Sequence, residues 1–218
     1  MSLSLAVRRV ITAVAVSAAG LTGLGLAASP ATAACSDVQV VFARGTTEAP
    51  GLGVLGRPLV RAVQQQLPGL TVDSYAVDYA ANVSQTSAGP GATDMSNHIE
   101  EVAAACPDTE FIIGGYSQGA SVTDIAIGIR TTLGRGETIP TELAPRIKAV
   151  TVFGNPLRLS RQTINSASQL YGQKALDTCA TGDPVCGNGA NALAHLSYAF
   201  DGSVTRAAQF AANLVKTT

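Results

Sequence analysis

The sequence has no tryptophan, two methionines and two histidines, and its aromatic rings are otherwise five tyrosines and five phenylalanines. Such a chain offers no evident platform for stacking sugar rings. Charge is also sparse. Asp, Glu, Lys and Arg make up 13% of 218 residues, with 14 basic against 15 acidic. The basic residues form no patch or stripe, so the electrostatic footprint of a nucleic-acid binder is missing. There is no C-x-x-C, and two histidines are few, which argues against a zinc site built on the four cysteines.

One long apolar run is present, at the start. Arg8 and Arg9 precede a run over residues 10–26 made almost wholly of Ala, Val, Leu, Ile, Thr, Ser and Gly. Ser29-Pro30-Ala31-Thr32-Ala33 then supplies a helix breaker and an A-x-A site. This pattern reads as a secretory signal peptide over residues 1–33, cut after Ala33. A retained membrane anchor fits less well, because glycines interrupt the run and a cleavage site follows it. Arg8-Arg9 leaves the twin-arginine route open beside the general one. Cleavage leaves one domain over residues 34–218, long enough for a full core. It removes two of 14 basic residues and no acidic ones, so the net charge falls to near −3.

An exported chain with four cysteines points to disulfides. Cys179 and Cys186 lie seven positions apart across a Thr-Gly-Asp-Pro turn, a natural local bridge. Cys35 and Cys106 are left to pair over a long loop.

Short apolar segments alternate with helical periodicity. Strands are expected at 38–42, 71–77, 111–114, 147–153 and 174–178. Helices are expected from Pro58 to Leu67, over 94–106, after Ser117, and over 207–216. Residues 49–56 and 82–91 read as glycine-bearing loops. The pattern specifies a single-domain α/β fold with a mostly parallel sheet flanked by helices. In such sheets the site lies at the carboxyl ends of the strands.

At one such end stands Gly115-Tyr116-Ser117-Gln118-Gly119, a G-x-S-x-G between the 111–114 strand and a helix with Val122, Ile125, Ala126 and Ile129 on one face. With 22 glycines a chance match is conceivable. The match occurs once, in the strand–turn–helix setting that a nucleophile elbow requires. There the turn exposes the Ser117 hydroxyl and points the Gln118 N–H at a developing oxyanion.

A serine needs a base, and the base a carboxylate. His98 precedes the serine and is expected on an exposed helix face. His195 fits the order serine, acid, histidine. Between them, Asp124, Glu137 and Glu142 fall too early. Asp183 sits at the tip of the Cys179–Cys186 loop, where a bridge would fix it, and Asp177 is the fallback. Asp183 could instead be a turn residue before Pro184.

These residues together resemble the cutinase family. The resemblance rests on Gly115–Gly119, on Cys179-x3-Asp183-Pro-Val-Cys186, and on His195 twelve positions after Asp183. Arg44-Gly-Thr-Thr-Glu48 and Cys106-Pro107 add to it. It covers most of residues 35–218, and the Ala-rich style of the expected signal peptide resembles the bacterial, actinobacterial branch rather than the fungal one. It implies a small lidless α/β hydrolase, acting without metal or organic cofactor on carboxylic esters at a lipid or polyester surface. Ser117 would be the nucleophile, His195 the base and Asp183 the orienting acid. Thr46 would join Gln118 in the oxyanion hole, where relatives mostly carry serine. The bridges Cys35–Cys106 and Cys179–Cys186 also match. A secreted monomer, free or held at the cell wall, is expected, with no stable membrane anchor. Short to medium acyl chains are the expected substrates. Acetylxylan esterase, lipase or phospholipase, and a non-catalytic secreted antigen or binding protein are the alternatives. Residues 47–55, 82–90 and 184–194 are expected to rim the cleft.

Overall fold

The protein is described by a computed structural model covering residues 35–217. The expected signal peptide lies outside the described residues. Five strands form one parallel sheet in the order β2-β1-β3-β4-β5. They are β1 (Val38–Ala43), β2 (Val72–Ala76), β3 (Glu110–Tyr116), β4 (Ile147–Phe153) and β5 (Ala175–Thr178). The central strands are mostly apolar, with Gln39, Lys148 and Thr151 among the few exceptions, because both faces are covered. On β1, Val38, Val40 and Phe42 face α1 (Gly53–Gln66) and α6 (Ser203–Lys216), while Val41 and Ala43 face the opposite core. That second core is closed by α2 (Ala88–Ala105) and α3 (Gln118–Ala126). Burial of side chains such as Leu59, Val63, Met95 and Ile99 contributes about 1.5–3 kcal/mol each. No described helix is long and apolar enough to cross a membrane.

The strand order reverses between β1 and β3. A crevice opens beyond their carboxyl ends, which is where such folds place their ligands. The segments after these two strands carry Thr46 and Ser117.

Three helices begin earlier than their periodicity implied; α6, expected over 207–216, starts four residues early at Ser203. The first was expected at Pro58, yet α1 begins at Gly53 and holds Pro58 inside it. Its start is fixed by Glu48, whose Oε1 accepts the Val54 N–H at 2.7 Å. A carboxylate there satisfies an orphan donor and suits the helix dipole. Likewise α2 begins at Ala88, six residues before its expected start. Gly89 and Gly91 signalled a loop, but both are buried in the helix. A Cβ on Gly89 would lie 2.1 Å from the Arg135 carbonyl oxygen, so glycine is there for close packing.

Candidate active site

Ser117 joins β3 to α3 with φ 56° and ψ −117°. A serine rarely takes such a backbone, and it persists only where its surroundings impose it. Here they do. The Ser117 N–H donates to the Phe153 carbonyl at 2.9 Å. A Cβ on Gly115 would lie 2.0 Å from the Gly119 carbonyl oxygen, and one on Gly119 would lie 2.0 Å from that of Ala43. Both glycines are therefore required for α3 to start against the end of β1.

The loop after β1 is clamped from inside. Arg44 is buried, and its guanidinium donates to the carbonyls of Glu48 at 2.8 Å and Tyr79 at 2.5 Å. The Tyr79 hydroxyl donates back to the Arg44 carbonyl. Glu48 Oε2 accepts the Gly45 N–H at 2.5 Å. Thr47 is held at φ 64°, and its N–H donates to the Ala81 carbonyl at 2.8 Å. A β-branched residue in the left-handed region marks an over-determined turn. Among the described residues, the backbone N–H groups of Thr46 and Gln118 donate to no partner. Gln118 is wholly buried, with its side-chain amide on the Asn82 carbonyl at 3.2 Å.

His195 ends the short helix α5 (Ala192–His195), which follows the one-turn α4 (Ile164–Ala167) in the chain. Its Nδ1 lies 2.8 Å from Asp183 Oδ2. Asp183 is fully buried, and burial alone would raise its pKa. Hydrogen bonds from Tyr198, His195 and the Val185 N–H outweigh burial and hold the carboxyl below its ordinary value. The acid is thus ionised at neutral pH. It accepts from Nδ1–H, which leaves Nε2 as the ring's free lone pair. The ring is braced on other sides as well. Tyr116 lies 5.0 Å away between ring centroids, and its hydroxyl donates to the His195 carbonyl at 2.7 Å. Gly154, at φ 59°, presses from below, where a Cβ would lie 2.7 Å from Cε1.

Ser117, His195, Thr46, Leu55, Leu196 and Tyr198 help line one cleft of about 330 Å³. Val54 and Leu196 line it while remaining 60% and 62% exposed, so its mouth is apolar. Both expected disulfides are present, Cys35–Cys106 and Cys179–Cys186. Cys179, Asp183 and Cys186 bring ligand atoms within 4.8 Å of one another. The sulfurs are bonded to each other and the carboxylate already has three donors, so this group does not suit a metal.

The fallback acid, Asp177, is engaged elsewhere, paired with Arg158 at 3.0 Å. His98 is not on an open helix face. It is half-buried, stacked on Tyr75 with centroids 3.5 Å apart, and its Nε2 meets Gln39 Oε1 at 2.8 Å. Burial lowers its pKa. Sequence reasoning missed Tyr198, Gly154 and the Arg44 clamp. Tyr198 stands three residues after His195, but nothing in the local pattern marks it as a partner of Asp183.

Comparison with known proteins agrees with this architecture. The family model described as Cutinase matches residues 34–215. A protein of Kineococcus radiotolerans named cutinase is 60% identical over 186 residues, covering 84% of this chain and 63% of its own length. The chain thus spans less than two thirds of that relative. Phospholipase Culp4 of Mycobacterium tuberculosis is 38% identical over 206 residues, covering 94% and 90%. Among solved structures, a Trichoderma reesei cutinase in complex with a phosphonate inhibitor superposes with a TM-score of 0.67 at 30% identity, covering 83% of this chain and 77% of that one. On the family match, the described fold and this cleft together, the chain belongs to the cutinase family.

Proposed function

We propose that this protein is an exported serine esterase, made with a leader over residues 1–33 and acting as a domain over 34–218. It hydrolyses carboxylic esters of short to medium acyl chains. The observation that carries this reading is the 2.8 Å pair of His195 Nδ1 and Asp183 Oδ2, set at the cleft that Ser117 lines from a strained elbow. In the reaction, Ser117 Oγ attacks the ester carbonyl while His195 Nε2 takes its proton. Asp183 holds the ring's tautomer and stabilises the imidazolium. The Thr46 and Gln118 N–H groups receive the oxyanion, each worth about 3 kcal/mol in comparable sites. His195 protonates the departing alcohol. Water, deprotonated by the same ring, then releases the acid and frees Ser117.

The apolar mouth supports esters presented at a lipid or polyester surface. Val54 and Leu196 reach solvent from the cleft wall, and Leu193, on α5 three residues before Leu196, is exposed as well. The two disulfides support an oxidising, extracellular compartment.

The test is hydrolysis of p-nitrophenyl esters from acetate to palmitate by residues 34–218, beside Ser117→Ala. Turnover peaking at short to medium chains and abolished in the variant supports the proposal. An acetate-only profile moves the substrate to acetylated polysaccharide, and a long-chain maximum moves it to lipids. No turnover by a folded, oxidised protein overturns it.

A further inference from the structure

Helix α3 carries a carboxyl that the reaction above leaves unused. Asp124, seven residues after Ser117, has no exposed surface. Its Oδ1 accepts a hydrogen bond from Asn155 Nδ2 at 3.1 Å, and its Oδ2 meets no partner among the described residues. Burial pushes this carboxyl well above the ordinary aspartate range. The Asn155 bond opposes that, and nearby Asp177 adds to it. A carboxyl buried so completely costs stability wherever it stands.

Its single partner sits in a turn that faces the reacting groups. Phe153, the last residue of β4, accepts the Ser117 N–H through its carbonyl at 2.9 Å. Gly154 donates to the Thr178 carbonyl at 2.9 Å, and its Cα lies against the His195 ring. Asn155 is fully buried, and its Oδ1 accepts the Leu157 N–H at 2.9 Å, capping the 3-10 turn Pro156–Ser160. One side of this three-residue turn therefore touches the serine and the imidazole. The other side is held by the Asn155 side-chain amide, which donates to Asp124 and also lies close enough to Asp177 to favour its ionised form.

We propose that Asp124 is a positioning residue of the hydrolytic site, fixing through Asn155 the Gly154 turn on which the His195 ring rests. The inference rests on the assignment of His195 as the base. The bond to Asn155 locks the amide so that its oxygen caps Leu157 and its nitrogen points into α3. Without it, Asn155 loses an acceptor for a buried donor and the turn has other arrangements within reach. A base displaced by a fraction of an ångström loses rate rather than affinity.

The experiment compares Asp124→Ala and Asp124→Asn in the full domain, by ester kinetics and by NMR of the histidine rings. With two histidines in the chain, the ring spectrum has two spin systems. Asp124→Ala is expected to lower kcat by about 10- to 100-fold with KM within about twofold, and to shift the His195 ring signals while those of His98 stay in place. Asp124→Asn, whose amide oxygen still accepts from Asn155, is expected to restore kcat to within about threefold of wild type and return the His195 signals. If Asp124→Ala loses its fold by circular dichroism, Asp124→Leu, which fills the same space and accepts no hydrogen bond while leaving the Asn155 cap on Leu157 intact, replaces it in the comparison. Wild-type kcat with unmoved His195 signals in the alanine variant overturns the proposal. So does an asparagine variant that is folded yet as impaired as alanine. The ring spectra read the positioning even if no ester is turned over, so failure of the esterase reading remains separate from failure of this one.

Discussion

The Tyr198 hydroxyl donates a 2.5 Å hydrogen bond to Asp183 Oδ2, the same oxygen that receives the His195 ring. The hydroxyl in turn accepts the Ala180 N–H at 3.0 Å and lies 3.3 Å from Cys186 Sγ. Asp183 is thus held by the His195 ring, by a buried tyrosine and by the disulfide loop that carries it. Tyr198 keeps its own proton, since burial and the neighbouring carboxylate both raise its pKa.

Removing that hydroxyl should weaken the acid without removing the ring. Tyr198→Phe deletes one of the donors that hold the Asp183 carboxyl low, so its pKa rises toward the ordinary value. We expect kcat to fall by about 5- to 30-fold, in line with loss of one charge-assisted hydrogen bond of about 1–2 kcal/mol. KM should change little, and the acid limb of the kcat–pH profile should move to higher pH. A kinetic pH titration of the variant beside wild type checks this.

Gly154 is the floor beneath the imidazole. Gly154→Ala places a methyl 2.7 Å from His195 Cε1 and 2.9 Å from Nδ1, and forces alanine to a φ of 59°. We expect a folded protein destabilised by about 1–3 kcal/mol, with kcat reduced by about 100-fold. Urea unfolding and ester kinetics on one preparation separate the two effects.

Two of the buried aspartates, Asp183 and Asp124, give opposite pH dependences of stability. Asp183 has a depressed carboxyl in the fold. Its contribution is fully present above the unfolded pKa and is lost as pH falls through the folded one. Asp124 has a raised carboxyl, so the fold binds more protons than the unfolded chain between the ordinary value and the folded one. Across that window its contribution falls as pH rises. Asp124→Asn should therefore gain about 1 kcal/mol or more at pH 8 and much less at pH 4. Denaturant midpoints measured from pH 4 to pH 8 read the difference directly.

The Cys179–Cys186 bridge closes the loop bearing Asp183, whose carbonyl accepts the Gly187 N–H at 3.0 Å. Cys35–Cys106 joins the segment before β1 to the end of α2, far along the chain from Asp183 and His195. A Cys179→Ala/Cys186→Ala variant should lose activity by at least about tenfold while the fold persists. Equal persistence of activity and fold removes the ordering role of that bridge.

Much of this site was legible in the sequence because each of its main parts has a local signature. Gly115 and Gly119 announce a helix dropped onto a strand end, and the structure shows both glycines against backbone atoms. Asp183 lies between cysteines, and His195 is one of two histidines and the one in the right order. Residues whose role comes from tertiary contacts were not legible. Asp124, set aside in the sequence as falling too early to be the acid, lies on α3, which is buried along its whole length and packs against α2. His98 likewise takes its surroundings from Tyr75 and Gln39 on two different strands. Helix starts misread as loops, at Gly53 and Ala88, depended on a carboxylate cap and on glycine packing that no periodicity records.

The central claim is that Ser117 is the nucleophile, and covalent labelling tests it most directly. The oxidised domain is treated with a fluorophosphonate ester, and the intact mass and the labelled peptide are measured beside Ser117→Ala. One adduct per chain on Ser117, absent from the variant, is the predicted result. Ester turnover that continues while Ser117 stays unlabelled, or that survives in Ser117→Ala, contradicts it.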